Sequence, residues 1–232
     1  MSSPNHSPYQ DKVDPWSSHT LIRSLLIQLP EGARVLDVGT ATGTLGRMCQ
    51  NVGITLNGIE PNSEWADIAR PYYHKLLTTY IENSPDDFLS GYEAVICADV
   101  LEHMAYPEAA LSRLVSLQPY GCRFLISVPN IANVWIRLNL LFGKFEYTER
   151  GILDRTHLRF FTQVSFLRMI RSFGLIINNV YTTPIPINLV FPRLHERKWG
   201  LAVQKQLNRL TQMMPKMLGY QFLAETVKTC HD

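Results

Sequence analysis

Val35-Leu36-Asp37-Val38-Gly39-Thr40-Ala41-Thr42-Gly43-Thr44-Leu45-Gly46 is the stretch whose reading decides the fold. Apolar residues lead to an acidic residue, then to glycines, then to a segment able to start a helix. Buried parallel strands read as such apolar runs, and glycine allows a tight turn where a ligand touches backbone. In open α/β sheets ligands lie outside the carboxyl ends of the strands, so this turn is the first place to look for a site. A dinucleotide fingerprint needs G-x-G-x-x-G against a pyrophosphate. Counted from Gly39, its second glycine falls on Ala41 and its third on Thr44, so the match fails twice. What remains is acidic-x-Gly-x-Ala-x-Gly, from Asp37 to Gly43.

Bulk properties narrow the classes. At 232 residues the chain is most simply one domain with a substantial core. Hydrophobic content of 46% and charged content of 18% are ordinary for a globular protein. A formal charge of +2 gives no broad footprint for nucleic acid. Cys49, Cys97, Cys122 and Cys230 are scattered without a C-x-x-C pair, which fits a reduced setting better than a disulfide framework or a zinc site. Residues 1–16 are polar and proline-containing, unlike a signal peptide, and read as a flexible lead-in. No run approaches a transmembrane span, so a cytoplasmic protein is expected, as a monomer or homodimer.

Taken in order, Ser17 or Ser18 caps a first helix carrying Leu21, Ile22, Leu25 and Leu29, ended by Pro30-Glu31-Gly32. Strands are expected at about Arg34–Val38, Ile54–Ile59, Lys75–Ile81, Tyr92–Ala98 and Arg123–Val128, with helical stretches between them. That alternation argues for βαβ units and a parallel sheet. Gly39, Glu60, Asp99 and Asn130 each follow a strand and should share one edge of the sheet. Glu60 comes 21 residues after Gly39, a spacing at which an acidic side chain can accept from both hydroxyls of an adenosine ribose. Beyond Val134 come a short helix, an aromatic and charged run from Gly143 to Thr162, a helix to Phe173 and a strand at Leu175–Tyr181. Pro184–Phe191 reads as extended, and the last forty or so residues as helices with basic faces.

Three blocks resemble one family in order and spacing: Asp37 to Gly43, Cys97-Ala98-Asp99-Val100-Leu101-Glu102-His103, and Leu153-Asp154-Arg155-Thr156-His157-Leu158-Arg159-Phe160-Phe161-Thr162. They are similar to class I S-adenosylmethionine-dependent methyltransferases of the ubiquinone-methyltransferase-like kind, in which Ala41 is usually glycine. The resemblance covers about Val35 to Tyr181, with a weaker echo at Tyr220-Gln221-Phe222. It implies a Rossmann-like α/β fold, a seven-stranded, mostly parallel sheet with helices on both faces and one antiparallel strand near an edge, plus C-terminal helices. The corresponding division is a lead-in over 1–16, a methyltransferase domain over 17–182 with an acceptor-side insertion at about 131–161, and a helical extension over 183–232.

The implied cofactor is S-adenosyl-L-methionine, held by Asp37, Gly39, Thr40, Ala41 and Gly43 of the turn, by Glu60 and Pro61, and by Asp99, Val100 and Leu101. Asp37 would hold the ammonium, directly or through water, or brace the turn. Near Tyr80, Glu82 and Asn83 the family often places an adenine-contacting aspartate that this chain lacks. Methyl transfer to oxygen needs a base, and the candidates are His157, beside Asp154 and Arg155, and His103. The alternative for Asp154, Arg155 and His157 is a structural network; for His103 it is packing or capping at a helix start. Glu102 and His103 alone are not a coordination set, so no metal is expected.

The expected activity is methyl transfer to a small-molecule, glycan or natural-product acceptor, at oxygen. Nucleic-acid base methylation is disfavoured, since Asp99-Val100-Leu101-Glu102 stands where such enzymes resemble one another in an Asn/Asp-Pro-Pro-aromatic run. The rival reading is a non-catalytic S-adenosylmethionine-binding or scaffold protein of the same fold.

Overall fold

The computed structural model describes residues 15–186 and 200–230. The lead-in expected over 1–16 therefore lies outside the described residues except for Pro15 and Trp16, as does the extended segment beyond residue 186.

Seven strands form one sheet: β1 Arg34–Val38, β2 Thr55–Ile59, β3 Lys75–Leu77, β4 Ala94–Ala98, β5 Arg123–Pro129, β6 Leu175–Thr183 and β7 Gln221–Lys228. Their order is β3-β2-β1-β4-β5-β7-β6. The first five are parallel, and β7 runs antiparallel to both β5 and β6. From β1 the chain moves outward through β2 to β3, then returns to place β4 on the other flank of β1. This reversal opens a crevice at the carboxyl ends of β1 and β4, the usual ligand position in such sheets.

Alternation along the strands feeds two cores. Leu36 and Val38 of β1 pack on one face with Leu111 and Leu114 of α5 (Pro107–Leu117) and Phe166 and Ile170 of α7 (Gln163–Ser172). Val35 packs on the other with Ile22, Leu25 and Leu26 of α1 (Ser18–Leu26), Leu45 of α2 (Thr44–Cys49) and Ala66 and Ala69 of α3 (Ser63–Ala69). Ser17 caps α1 by accepting from the Thr20 N–H at 3.2 Å. Thr162 and Ser165 close a reciprocal capping box on α7. A short α4 (Asp86–Leu89) precedes β4, and α6 (Val134–Leu141) follows β5. The chain continues through α8 (Gly200–Met213) and α9 (Pro215–Leu218) into β7.

The C-terminal region corrects the expected helical extension over 183–232. Gln221–Lys228 is a strand inserted between β5 and β6, so the sheet is not complete at residue 182, and β6 itself runs to Thr183. Phe222 and Ala224 bury on one face and Leu223 on the other, the period of two that a doubly covered strand requires. Glu225 is held by Arg123, Asn179 and Tyr181 of the flanking strands. The third strand is also shorter than expected, because Ile81 starts a 3-10 turn after Leu77.

Candidate functional site

The turn after β1 is built from left-handed residues: Gly39 at φ 75°, Ala41 at 45° and Gly43 at 79°. The Gly39 N–H donates to the Ile59 carbonyl at 2.8 Å, tying the turn to the end of β2. A Cβ on Gly39 would lie 2.5 Å from Val100 Cγ2, so glycine is needed where the loop after β4 crosses the turn. Glu60 braces the same turn. Its Oε2 accepts from the Ala41 N–H at 2.8 Å and its Oε1 from the Asn62 N–H at 2.9 Å. Burial pushes the Glu60 carboxyl up, opposed by those two backbone donors. Each oxygen keeps lone-pair capacity for a hydroxyl.

Asp37 is placed differently from expectation. It is 2% exposed, and the Tyr73 hydroxyl donates to its Oδ2 at 2.6 Å. Burial pushes the carboxyl up to about 7, with the Tyr73 bond opposing and the Glu60 charge adding to the rise. Tyr73 fits because a Cβ on Gly46 or Gly58 would lie 2.6 or 2.9 Å from its ring. Nothing local to the turn marked Tyr73 as its partner.

Asp99 sits half-buried at φ 54°. Its Oδ1 accepts from Ser127 Oγ at 2.8 Å and its Oδ2 from Gln221 Nε2 at 2.6 Å, joining β4, β5 and β7. Gln221 was visible only as part of the Tyr220-Gln221-Phe222 echo. Leu101, expected at the cofactor, is fully buried in the core and presents no surface to a ligand. Thr40 and Gly43 are buried, Pro61 is exposed, and Tyr80 is exposed beyond β3. Asn130 is fully buried and donates to the Gly219 carbonyl at 2.9 Å, a tie between the end of β5 and the turn into β7.

The two histidines do come together, with ring centroids 4.7 Å apart and edge to face. Their partners are exchanged relative to expectation. Asp154 Oδ1 accepts from the Thr156 N–H at 2.8 Å and from Thr156 Oγ1 at 2.7 Å. Thr156 Oγ1 lies 3.1 Å from His103 Nδ1. With the hydroxyl proton committed to Asp154, Thr156 accepts from His103 Nδ1–H, which leaves a lone pair on His103 Nε2. His157 instead places Nδ1 3.1 Å from the Ile152 carbonyl and is buried. The carboxylate-oriented imidazole is therefore His103, through Thr156, while Arg155 pairs with Glu149 at 2.6 Å on the surface. Burial, and secondarily the His157 ring, lower the His103 pKa. The Leu158 and Arg159 N–H groups both donate to the Glu102 carbonyl, at 2.7 and 3.0 Å, and clamp this block onto the loop after β4.

The fold also brings His157 beside Glu102 and His103. Ligand atoms of Glu102, His103 and His157 lie within 4.8 Å of one another, the grouping among the described residues with the donors for a metal ion.

Comparison with known proteins agrees with this geometry. Residues 16–179 match the family model described as a methyltransferase domain. The ubiquinone biosynthesis O-methyltransferase of Aeromonas salmonicida is 27% identical over 161 residues, 64% of this chain and 65% of that protein. The matches to five further ubiquinone biosynthesis O-methyltransferases span between 44% and 55% of those proteins, so the chain covers about half to two thirds of such relatives. Among solved structures, magnesium protoporphyrin IX methyltransferase from Synechocystis PCC 6803 with bound SAH superposes at a TM-score of 0.62, with 17% identity over 91% of this chain and 82% of that one. The [4+2]-cyclase SpnF superposes at 0.60, with 18% identity over 91% and 82%.

A doubly wound sheet with a glycine turn at its switch point, braced by an acid from the next strand, defines the class I nucleoside-cofactor architecture. The chain belongs to the methyltransferase-domain family, the class I S-adenosylmethionine-dependent methyltransferases.

Proposed function

We propose that this chain transfers a methyl group from S-adenosylmethionine to an oxygen of a small-molecule, glycan or natural-product acceptor. The observation that carries the reading is the hydrogen-bonded series His103–Thr156–Asp154, standing four residues beyond Asp99 on the loop that crosses the Gly39 turn.

The residues present suit the cofactor. Asp37, Glu60 and Asp99 surround the turn, and Gly39-Thr40-Ala41-Thr42-Gly43 contains no cation, so the site favours an ammonium, a sulfonium and ribose hydroxyls over phosphate. When bound, S-adenosylmethionine supplies the electrophilic methyl group. Glu60 would accept from the ribose hydroxyls, with Pro61 beside it. Gly39, Thr40 and Ala41 would lie along the methionine part, and Asp99 and Val100 would wall the adenosine. Asp37 would act from beneath the turn, bracing it through the hydrogen bond from Tyr73.

His103 Nε2 would take the proton from the acceptor hydroxyl, whose oxygen would gain the methyl group as the methyl–sulfur bond breaks and S-adenosylhomocysteine leaves. The resulting imidazolium is stabilised through Thr156 by the Asp154 carboxylate, and the lowered His103 pKa keeps the free base neutral at physiological pH. His157 packs against this base and fixes its ring. The names of the O-methyltransferase relatives support oxygen as the acceptor atom.

Calorimetric titration with S-adenosylhomocysteine, with NAD as control, tests the cofactor. Saturable binding of the first alone is expected; silence with both, or binding of NAD alone, would overturn the reading. The cyclase of this fold supports a second reading, a same-fold protein that transfers no methyl group. Release of S-adenosylhomocysteine with any member of a phenol and glycoside panel eliminates it.

A further inference from the structure

Tyr220 directly precedes β7, at the carboxyl end of β5, where Gln221 pairs with Pro129. Its backbone is anchored on both sides. The N–H donates to the Thr183 carbonyl at 2.8 Å, and the carbonyl accepts from the Asn130 N–H at 2.9 Å. Its neighbour Gln221 donates to Asp99. The Tyr220 side chain leaves the sheet and, like Phe160, packs against the buried cluster of Ile136, Ile152 and Leu153, just ahead of Asp154. From there rings lead to the proposed base. Centroids are 6.2 Å apart between Phe160 and His157, and 4.7 Å between His157 and His103.

The hydroxyl of this anchored, half-buried residue has no hydrogen-bond partner among the described residues. Tyr73, Tyr92 and Tyr181 by contrast donate to Asp37, to the Phe88 carbonyl and to Glu225. A tyrosine hydroxyl within a structure normally finds a partner, so this one is left for solvent or a ligand. Gly151 keeps it clear: a Cβ there, at φ 94°, would lie 3.0 Å from the hydroxyl oxygen.

The groups around the hydroxyl define what it would bind. Burial pushes its pKa up to about 12, and the charges of Asp99 and Asp154 add to the rise, so it keeps its proton through the neutral range. The same two carboxylates act on His103. Asp99, Asp154 and the lone pair of His103 Nε2 all accept hydrogen bonds, and so suit hydroxyl groups. Tyr220 adds a donor, which suits an oxygen carrying no proton. The two acids disfavour an anion there, which leaves an uncharged oxygen.

We propose that the Tyr220 hydroxyl binds the methyl acceptor, donating to an uncharged carbonyl or ether oxygen on the same molecule as the hydroxyl that His103 deprotonates. Tyr220 has this role only where the site takes a methyl acceptor, so the assignment rests on the proposed function.

The test uses three ligand sets of similar shape: hydroxyacetophenones, ethylphenols and hydroxybenzoates, each as its ortho, meta and para isomers. They are titrated calorimetrically into the full chain saturated with S-adenosylhomocysteine. In at least one isomer set the ketone should bind about tenfold tighter than the ethyl compound, and tighter than the benzoate. Tyr220→Phe removes an oxygen that is bonded to nothing in the protein. It should erase the difference by weakening the ketone about tenfold, while the ethyl compound and S-adenosylhomocysteine bind as before. Where turnover occurs, the loss should appear in KM rather than kcat. No preference for the ketone in any isomer set, tighter binding of the benzoate, a preference that survives Tyr220→Phe, or equal weakening of ketone and ethyl compound would overturn the proposal. Discrimination by Tyr220 without methyl transfer would sink the proposed function alone. Methyl transfer indifferent to Tyr220→Phe would sink this inference alone.

Discussion

The Tyr73 hydroxyl donates to Asp37 across 2.6 Å inside the sheet, joining the acidic residue at the head of the glycine turn to a residue two positions before β3. Glycines at 46 and 58 clear the space for that ring. The acid at the head of the motif is thus an interior group whose protonation is coupled to the fold.

That coupling has a sign. The folded-state pKa of Asp37 is raised from 3.8 to about 7, so the native state holds the proton more firmly than the unfolded chain. Its stability contribution is present below the unfolded value and is lost as pH rises through 7. Glu60, Cys49 and Cys97 face the same carboxyl, and both thiols stay protonated across this range because burial raises Cys49 to about 12 and pushes Cys97 well above the usual thiol range. Asp37→Asn should remove this slope. The Tm of the variant minus that of the parent should grow between about pH 4 and 8. A constant difference in scanning calorimetry would count against the interior placement.

Ala41 occupies the left-handed region at φ 45°, a conformation costing an L-residue about 1–2 kcal/mol. Replacement by glycine regains that strain and costs about 0.5–1 kcal/mol of backbone entropy. Ala41→Gly should stabilise the protein by up to about 1.5 kcal/mol in urea denaturation, with S-adenosylhomocysteine affinity equal or higher.

The relay separates the two histidines experimentally. His103→Ala should slow turnover by about 10²–10⁴ with cofactor-product affinity retained. Thr156→Val keeps the shape and removes the link to Asp154, so the acid limb of the pH–rate profile should move. In the parent that limb lies below the ordinary histidine value, because the His103 pKa is lowered. His157→Ala should cost less than His103→Ala. The reverse ranking, in single-turnover assays, would return the base to His157.

A chain stopped at Gly219 should not fold cooperatively. Without β7, the edge of β5 and the whole of β6 lose their hydrogen-bonding partner, and Phe222, Leu223 and Ala224 leave both cores. Loss of the near-ultraviolet dichroism, with broad denaturant unfolding, is the expected result.

Most of the parallel half was legible because its signals are local. Val35–Val38 is a short run, apolar but for Asp37, with a glycine directly after it, and Glu60 follows its strand directly. What stayed hidden depends on distant partners. Gln221–Lys228 carries Gln, Glu, Thr and Lys among its apolar residues, and Glu225 is accommodated only because Arg123 and Asn179 flank it. Tyr73 is 36 positions from Asp37, with nothing in its own neighbourhood to announce the bond. Leu101 lay inside a matching block, yet a block marks a place in the chain and leaves the direction of each side chain to packing. The same holds for His157, adjacent in sequence to Thr156 but oriented by the Ile152 carbonyl.

The late arrival of β7 imposes an order on synthesis. Pro129 pairs with Gln221, and Arg123 with Val227, so the edge of β5 stays open while roughly ninety further residues are translated. A nascent chain at that stage presents a naked parallel-sheet edge, the template on which neighbouring copies stack. Ribosome stalling or premature termination anywhere in that interval would release an aggregation-prone fragment rather than a smaller working enzyme. Cells making this protein should accordingly depend on chaperone occupancy in the window between β5 and β7, more than on the final stability of the finished sheet.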